Sequence, residues 1–369
     1  MHALLKTVSG ATQRFEEMST SKSDIIEIRD DEQQNWDNLE DYLRANMEGL
    51  EDTMTVTQFG GGHANLTYCL SFGEKELVVR RPPLGPIAPS AHDMQREHKV
   101  LSRLWKAFPL APRSFLLCTD HDVIGADFHV MERRHGIAIR SDLPEDLKGK
   151  PELNHQIGTM VIDTLADFHM VDAKEVGLED LGKPEGYVER QLGGWSKRWH
   201  KSKDQDNADM DRLAEWLADT RPESKHTSLL HNDYKLDNML LNAGNPAQPE
   251  AVLDWDMCTL GDPLTDLGHL LNYWSDADDP KSWQNVTAMP TWNEGFPNRA
   301  EIIERYGERT GFDVSNAAWY HAFGVFKMTV IIQQIYIRYV RGQTKDERFA
   351  SFGERVAELI EKGVSIAKI

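Results

Sequence analysis

Between residues 54 and 81 the chain carries three short runs rich in β-branched and aromatic residues, MTVTQF, LTYCLSF and KELVVRR, joined by GGGHAN and GEK. Turns this short can only link antiparallel neighbours, because a parallel crossover needs about a dozen residues or more. The runs therefore predict an antiparallel meander. A helix over 36–47 precedes it, with Trp36, Leu39, Leu43 and Met47 at helical spacing. A second helix over 90–108, with Ser90 as the expected cap, and the strands RSFLLCTD and DFHVMER follow.

After Gly136 the period changes to that of helices. HQIGTMVIDTLADFHMV, GYVERQLGGWSKRWHK, DMDRLAEWLADT, PLTDLGHLLNYW and the run from about 315 to 340 all place apolar residues on one helical face. At 369 residues the chain exceeds the usual size of one core. The expected organisation is a polar tail over 1–30, a sheet-and-helix domain over 31–134 and a mostly helical domain over 135–369.

Sixty acidic against 41 basic residues give a net charge of -19. Phosphate backbones and anionic lipid would repel such a chain, so neither nucleic acid nor membrane is an expected partner. The three cysteines, Cys69, Cys118 and Cys258, have neither disulfide-framework nor zinc spacing. With no apolar signal region in the first twenty residues and no run of about 18 apolar residues, a cytoplasmic chain is expected.

One stretch interrupts the helical part. LLHNDYKLDNMLLN, residues 229–242, crowds His231, Asn232, Asp233, Lys235, Asp237 and Asn238 between apolar pairs. Polar groups in a protected place need partners or a task. NMLLN and EAVLDW read as a hairpin. If Asn242 faces Glu250, the count puts Asn238 opposite Asp254, a pair of oxygen donors suited to Mg²⁺. Asp233 lies in the loop before them as a candidate base, with Lys235 beside it as a fixed positive charge. Together these suggest phosphoryl transfer, where positioning and charge neutralisation carry the chemistry. The glycines of FGGGHAN could lay backbone N–H groups over phosphates. A basic residue ends the third strand, and REHKVL puts Glu97 on the next helix to pair with it.

These parts, in this order, resemble the aminoglycoside phosphotransferase branch of the protein-kinase-like fold, and in particular the phosphotransferase-like domain preceding some acyl-CoA dehydrogenases and its bacterial stand-alone relatives. The strings that carry the likeness are FGGGHANLTY, AHDMQREHKVL, VGLEDLGKPEGYVERQLGGW, HNDYKLDNML, LDWDMCTLGDPLTDLGHLLNYW and IYIRYVRGQTKDERF. The resemblance implies a bilobal α+β fold, with an N-terminal antiparallel sheet plus helix, a mostly helical C-terminal lobe, and ATP bound between them.

It also implies roles. Asp233 is the base, Asn238 and Asp254 are Mg²⁺ ligands, Gly60, Gly61 and Gly62 cover the phosphates, Glu97 is the helix glutamate, and 130–132, with Met131 and Glu132, is the hinge that reads adenine. Lys235 coincides with the lysine that protein kinases place near the γ-phosphate. An arginine stands where the family has its phosphate lysine. Arg80 is favoured over Arg81, since it shares a strand face with Val78. The acceptor implied is a small hydroxylated molecule such as a hydroxyacyl compound or hydroxy acid. An aminoglycoside kinase and a regulatory pseudokinase are the alternatives. His231, Asp266 and His169 are expected to be scaffold residues, and Asp262 a helix cap. Asp256 is a second metal ligand or nothing more than a neighbour.

Overall fold

The computed structural model describes residues 25–60, 65–85, 92–286 and 289–369. Contacts divide the chain into two units, one running up to Ile137 and taking in Leu240–Met257, the other comprising Ala138–Met239 and Cys258–Ile369. The second domain was expected to be unbroken from 135; the segment Leu240–Met257 instead groups with the first unit.

The first unit holds a six-stranded sheet: β1 (Ile25–Ile26), β2 (Met54–Phe59), β3 (Leu66–Phe72), β4 (Lys75–Arg81), β5 (Ser114–Cys118) and β6 (Phe128–Glu132). Their order is β1-β2-β3-β4-β6-β5, and every neighbouring pair is antiparallel. The meander and the two later strands appear as the turns predict. The addition is β1, from the expected tail. Its neighbour Arg29 donates to Gly60 O at 3.3 Å and, through its backbone, to Gln58 Oε1 at 3.0 Å, so the end of that stretch belongs to the sheet.

One face of the sheet buries Leu70, Phe72, Leu77, Val79 and Val130 with Leu39 and Leu43 of α1 (Trp36–Asn46). Because strand side chains alternate, Val78 and Arg80 point to the other face, against α2 (Met94–Leu101). That helix is shorter than expected. Ser90 lies outside the described residues, and the cap is Asp93, which accepts from Arg96 N–H at 2.9 Å. The segment from 240 to 257 joins this unit through reciprocal 2.9 Å bonds between Ile137 and Leu241 and through Val252 N–H to Leu110 O at 2.8 Å. A Cβ at Gly136 would meet Leu241 O at 2.7 Å, so the close approach requires glycine.

The hairpin of β7 (Met239–Leu241) and β8 (Pro249–Val252) forms, but its register differs from expectation. Asn242 N–H donates to Gln248 O at 2.9 Å, two residues nearer the turn than Glu250. Asn242 Oδ1 accepts from Gly244 and Asn245 N–H at 2.9 and 2.8 Å, tightening the turn. The Asn242 side chain reaches the Glu250 carboxylate. The count that set Asn238 opposite Asp254 therefore does not follow the ladder.

The second unit is mainly helical. Its longest helices are α4 (Pro151–His169), α5 (Tyr187–Ser202), α6 (Ala208–Asp219), α7 (Leu264–Tyr273), α9 (Arg299–Thr310), α10 (Ala317–Val340) and α11 (Phe352–Ala367), with the short α8 (Lys281–Val286) between α7 and α9 and α3 (His121–Ile124) belonging to the first unit. Sequence periodicity predicts α4 to α7 and α10; α9 and α11 were not anticipated, although Asn298 and Glu301 form a full capping box at α9. Helices α7 and α10 cross closely. A Cβ on Gly268 would lie 2.2 Å from Tyr320 O, and one on Gly324 would lie 2.5 Å from Gly268 O.

We predict that Gly268→Ala and Gly324→Ala each destabilise the protein by about 1–3 kcal/mol through overpacking against backbone that cannot yield. Thermal melts of both variants check this. Melting at the wild-type temperature would show that the helices can move apart at no cost.

Candidate active site

In the second unit, the strand Ser228–Leu230 pairs antiparallel with Thr259–Gly261 and delivers the polar loop. Asp266, in the first turn of α7 and 1% exposed, accepts His231 N–H on Oδ2 at 2.6 Å and Asn232 N–H on Oδ1 at 2.8 Å. Burial alone would raise its pKa; the hydrogen bond and charge of His169, with His269 and His231, bring it down to about 2. His169 lies 3.4 Å from Asp266 Oδ2 and 2.6 Å from Tyr306 OH. The scaffold expectations for His169 and Asp266 thus have a definite geometry.

Asn232 has a positive φ of 67°, a conformation few residue types tolerate. It is held on all sides. Besides the Asp266 bond, Lys327 Nζ donates to its carbonyl at 3.2 Å and Tyr187 OH to its Oδ1 at 2.9 Å.

Asp233 follows. Its carboxylate accepts from Tyr273 OH on Oδ1 at 3.0 Å, and from Lys235 Nζ and Asn238 Nδ2 on Oδ2 at 2.9 and 3.0 Å. Asn238 Nδ2 also donates to the Asp233 carbonyl at 2.9 Å. The structure thereby brings together three residues singled out from sequence, and adds Tyr273. Burial and then the Asp233 charge push the Tyr273 phenol well above its usual pKa, so it is a donor. Lys235 Nζ also sits 5.3 Å from the Tyr273 ring centroid. Lys327 is pressed by burial down to about 8, against the opposing pull of Asp233 and Asp266.

Tyr273 and Lys327 were missed. Each is far from the loop in sequence and stands in an ordinary helical pattern. Asp262 is expected as the cap of α7; the helix starts at Leu264 with Pro263 at its N-cap, so Asp262 stands one residue earlier, where its Oδ1 accepts Leu264 N–H at 3.0 Å and its Oδ2 accepts from Tyr320 OH at 2.6 Å.

In the first unit, Arg80 Nη1 donates to Glu97 Oε1 at 2.7 Å, and Nη2 donates to Asp254 Oδ1. Arg81 points to the opposite side and meets Gln34 and the Ile124 carbonyl instead. Burial alone would lower the pKa of Arg80, but Glu97 and Asp254 push it up, and burial alone would raise that of Glu97, but Arg80 and His129 hold it below the carboxylate norm. With the Asn65 amide turned to suit its neighbours, its oxygen accepts from Arg80 Nη2 at 2.9 Å and its nitrogen donates to His92 Nδ1 at 2.8 Å. Asp254, like Asn232, has positive φ, 69°. Of the glycine turn, Gly60 is described; Gly61 and Gly62 lie outside the described residues.

Met131 and Glu132 lie within β6. Met131 is flanked by Val78 and Ser114, and Glu132 pairs with Leu77. Glu132 N–H donates to Arg113 O at 2.9 Å, so that N–H is not open to a base.

An antiparallel sheet with a helix on each face, a buried arginine–glutamate pair, and a helical unit carrying an anchored Asp-x-Lys-x-x-Asn loop define a protein-kinase-like phosphotransferase fold. The chain belongs to the phosphotransferase enzyme family, whose profile matches residues 55–313. It is 32% identical over 361 residues to human acyl-CoA dehydrogenase family member 11, covering 95% of this chain but 45% of that protein. Mouse family member 10 is 31% identical over 333 residues, covering 88% of the chain and 30% of that protein. The chain thus spans less than half of these relatives. A crystal structure from Ralstonia eutropha assigned to the aminoglycoside phosphotransferases matches with a TM-score of 0.79 at 30% identity, covering 91% of this chain and 99% of that one. A thermostable mutant aminoglycoside phosphotransferase, solved with AMP-PNP and hygromycin B, shares the fold at a TM-score of 0.54 and 16% identity, covering 88% and 99% of the two chains.

We predict that Arg80→Met and Glu97→Leu each cost about 3–5 kcal/mol, because each strands a buried charge. The double variant should lose clearly less than the sum, whereas Arg81→Met should not couple to Glu97→Leu. Denaturant unfolding of the three single and two double variants measures this; additive losses at 80 and 97 would mean the pair is not energetically joined.

Proposed function

We propose that the protein is a Mg·ATP-dependent kinase that phosphorylates a hydroxyl on a small acyl compound or hydroxy acid. The observation that carries this reading is the Asp233 carboxylate, held by Tyr273, Lys235 and Asn238 on a loop whose backbone is pinned by Asp266. A fixed, partly exposed carboxylate is what a general base for a hydroxyl proton requires. Asp233 takes that proton, and Lys235 neutralises charge on the transferring group. Arg80, oriented by Glu97, faces the α- and β-phosphates, and the turn Gly60, Gly61 and Gly62 covers them. The segment 130–132, with Met131 and Glu132, borders the adenine in this reading, but the Glu132 N–H, already spent on Arg113 O, does not read the base.

Asn238 and Asp254 each offer an oxygen donor of the kind magnesium takes. Asn238 spends its amide nitrogen on Asp233, leaving its oxygen as the ligating atom, and Asp254 supplies a carboxylate. Among the described residues no group of three or more His, Cys, Asp or Glu gathers as a metal site. Two oxygen donors suit an ion that keeps several waters and takes phosphate oxygens. Magnesium, when bound by Asn238 and Asp254, supplies charge neutralisation for the phosphates.

The surroundings of Asp233 favour an acyl or carboxylate-bearing acceptor over an aminoglycoside. Lys235 contacts it, Lys327 senses its charge and that of Arg198, and Arg198 stacks on Trp195 at 4.4 Å. A polycationic antibiotic would meet like charge there. The relatives' dehydrogenase names point the same way. Among the described residues no helix is long and apolar enough to cross a membrane, and all three cysteines are buried and free, which supports a reducing, cytoplasmic setting.

Asp233→Asn should leave Mg·ATP affinity nearly unchanged and cut turnover by about 10²–10⁴-fold. Asp254→Asn should weaken Mg·ATP binding and suppress turnover as well. Calorimetric titration of Mg·ATP and a screen of hydroxy acids and hydroxyacyl esters for ATP-dependent gain of one phosphate measure both. Loss of Mg·ATP binding in Asp233→Asn with retention in Asp254→Asn would reverse the two roles. Wild-type turnover unaffected by either change would end the kinase reading of this loop.

A further inference from the structure

Glu97 is gripped on both of its oxygens. Oε1 takes Arg80 Nη1 at 2.7 Å; Oε2 faces His129 Nε2 at 3.3 Å. Glu97 and His129 are each 0% exposed, and Oε2 and Nε2 are both buried without a well-aligned hydrogen bond among the described residues, so each has the other, at 3.3 Å, as its facing polar group. Arg80 and His129 are themselves directly opposite each other across β4 and β6. One cross-strand pair thus supplies both arms around the helix carboxylate, one residue for each oxygen.

The arrangement continues behind His129. Its Nδ1 lies 3.1 Å from Ser114 Oγ on β5, and Ser114 Oγ lies 2.9 Å from His98 Nδ1. Glu97 and His98 are adjacent on α2, so the helix is fastened to three neighbouring strands, β4, β6 and β5, by consecutive residues. Proton bookkeeping sets the direction. A carboxylate paired with arginine is acceptor only, so the His129 nitrogen facing it must carry a proton. Nδ1 is then an acceptor facing Ser114 Oγ, whose one proton is also within reach of Val130 O at 3.2 Å. Glutamate has three rotatable side-chain bonds, and Arg80 alone would fix only one end of its carboxylate. The second contact removes the remaining freedom and fixes where the guanidinium can reach Asp254.

We propose that His129, supported by Ser114, is a positioning residue of the nucleotide half-site: it locks Glu97 so that Arg80 is held on Asp254 before nucleotide arrives. This rests on the kinase reading and deepens it. The helix that carries the glutamate then needs no inward swing to complete the site.

The test compares Mg·ATP affinity by calorimetry in wild type, His129→Leu and His129→Gln, with thermal melts alongside. Gln can place an N–H near the position of Nε2, while Leu fills the space without a donor. His129→Leu should bind Mg·ATP about tenfold more weakly, the order expected for one hydrogen bond to a charged group, and His129→Gln should stay within about threefold of wild type. Unchanged affinity in His129→Leu overturns the proposal, as does an equal loss in both variants, which would mean packing alone. If wild type fails to bind Mg·ATP, the kinase reading falls separately. Nitrogen NMR then decides the brace: a protonated Nε2 on His129 whose resonance shifts in Glu97→Gln supports it, and an unprotonated Nε2 overturns it.

Discussion

The geometry of the second unit hangs on one buried carboxylate. Asp266 accepts two consecutive backbone N–H groups, those of His231 and Asn232. Ionising a carboxylate at 1% exposure is expensive. It is offset by charge-assisted bonds, by the facing His169 and by a position in the first turn of α7, where the helix dipole favours a negative charge. The result is a left-handed Asn232 that would be strained in isolation but is over-determined here. The direction in which Asp233 leaves the backbone follows from that, and the hydroxyl of Tyr273 and the ammonium of Lys235 then settle its side chain. Remove the anchor, and the proposed base loses its orientation before any of its own contacts is touched.

The first unit solves a similar problem with the opposite charge. Glu97 is fully buried and Asp254 is partly so, and one guanidinium serves both. A lysine at position 80 would bring the same charge on a single nitrogen. The planar fork of arginine bonds two separate carboxylates through two different nitrogens, with Asn65 lined up on the same group. Arginine in place of lysine is therefore a structural choice here: it ties the α2 glutamate to the Asp254 turn directly.

Much of this was legible in the sequence because it is local. Strand alternation and short turns give the meander, and the face on which Val78 lies separates Arg80 from Arg81. The spacing within HNDYKLDN brings Asp233, Lys235 and Asn238 into mutual contact. What was missed depends on long-range packing. Tyr273 and Lys327 come from helices 40 and 94 residues beyond Asp233, and their residue types are unremarkable in a helical pattern. His129 reads as one more residue in a buried strand until its cross-strand partner is known. The hairpin register failed for a local reason: Asn242 forms a turn with its own side chain, tightening the loop by two residues. The α2 cap failed because two capping residues, Ser90 and Asp93, lie within one turn of each other, and sequence alone does not rank them.

Net charge is a poor guide to what such a site accepts. A chain at -19 would be expected to welcome cations, yet the groups nearest Asp233 include Lys235 in direct contact and Lys327 within the reach of its field. Screening explains the discrepancy. Surface carboxylates farther off than about 8–10 Å are damped by salt, whereas half-buried charges next to Asp233 are screened much less. A buried ammonium such as Lys327 is retained here although burial brings its pKa to about 8, because it holds the Asn232 carbonyl and so supports the same left-handed turn as Asp266. The close crossing of α7 and α10 at Gly268 and Gly324 is what lets it reach: Lys327 lies one helical turn beyond Gly324, so the backbone contact that excludes any Cβ there also fixes the distance from Lys327 to the loop. Glycine in a helix interior lowers helix stability, by about 1 kcal/mol relative to alanine; at these two positions that cost sets the helix spacing on which the geometry around Asp233 depends.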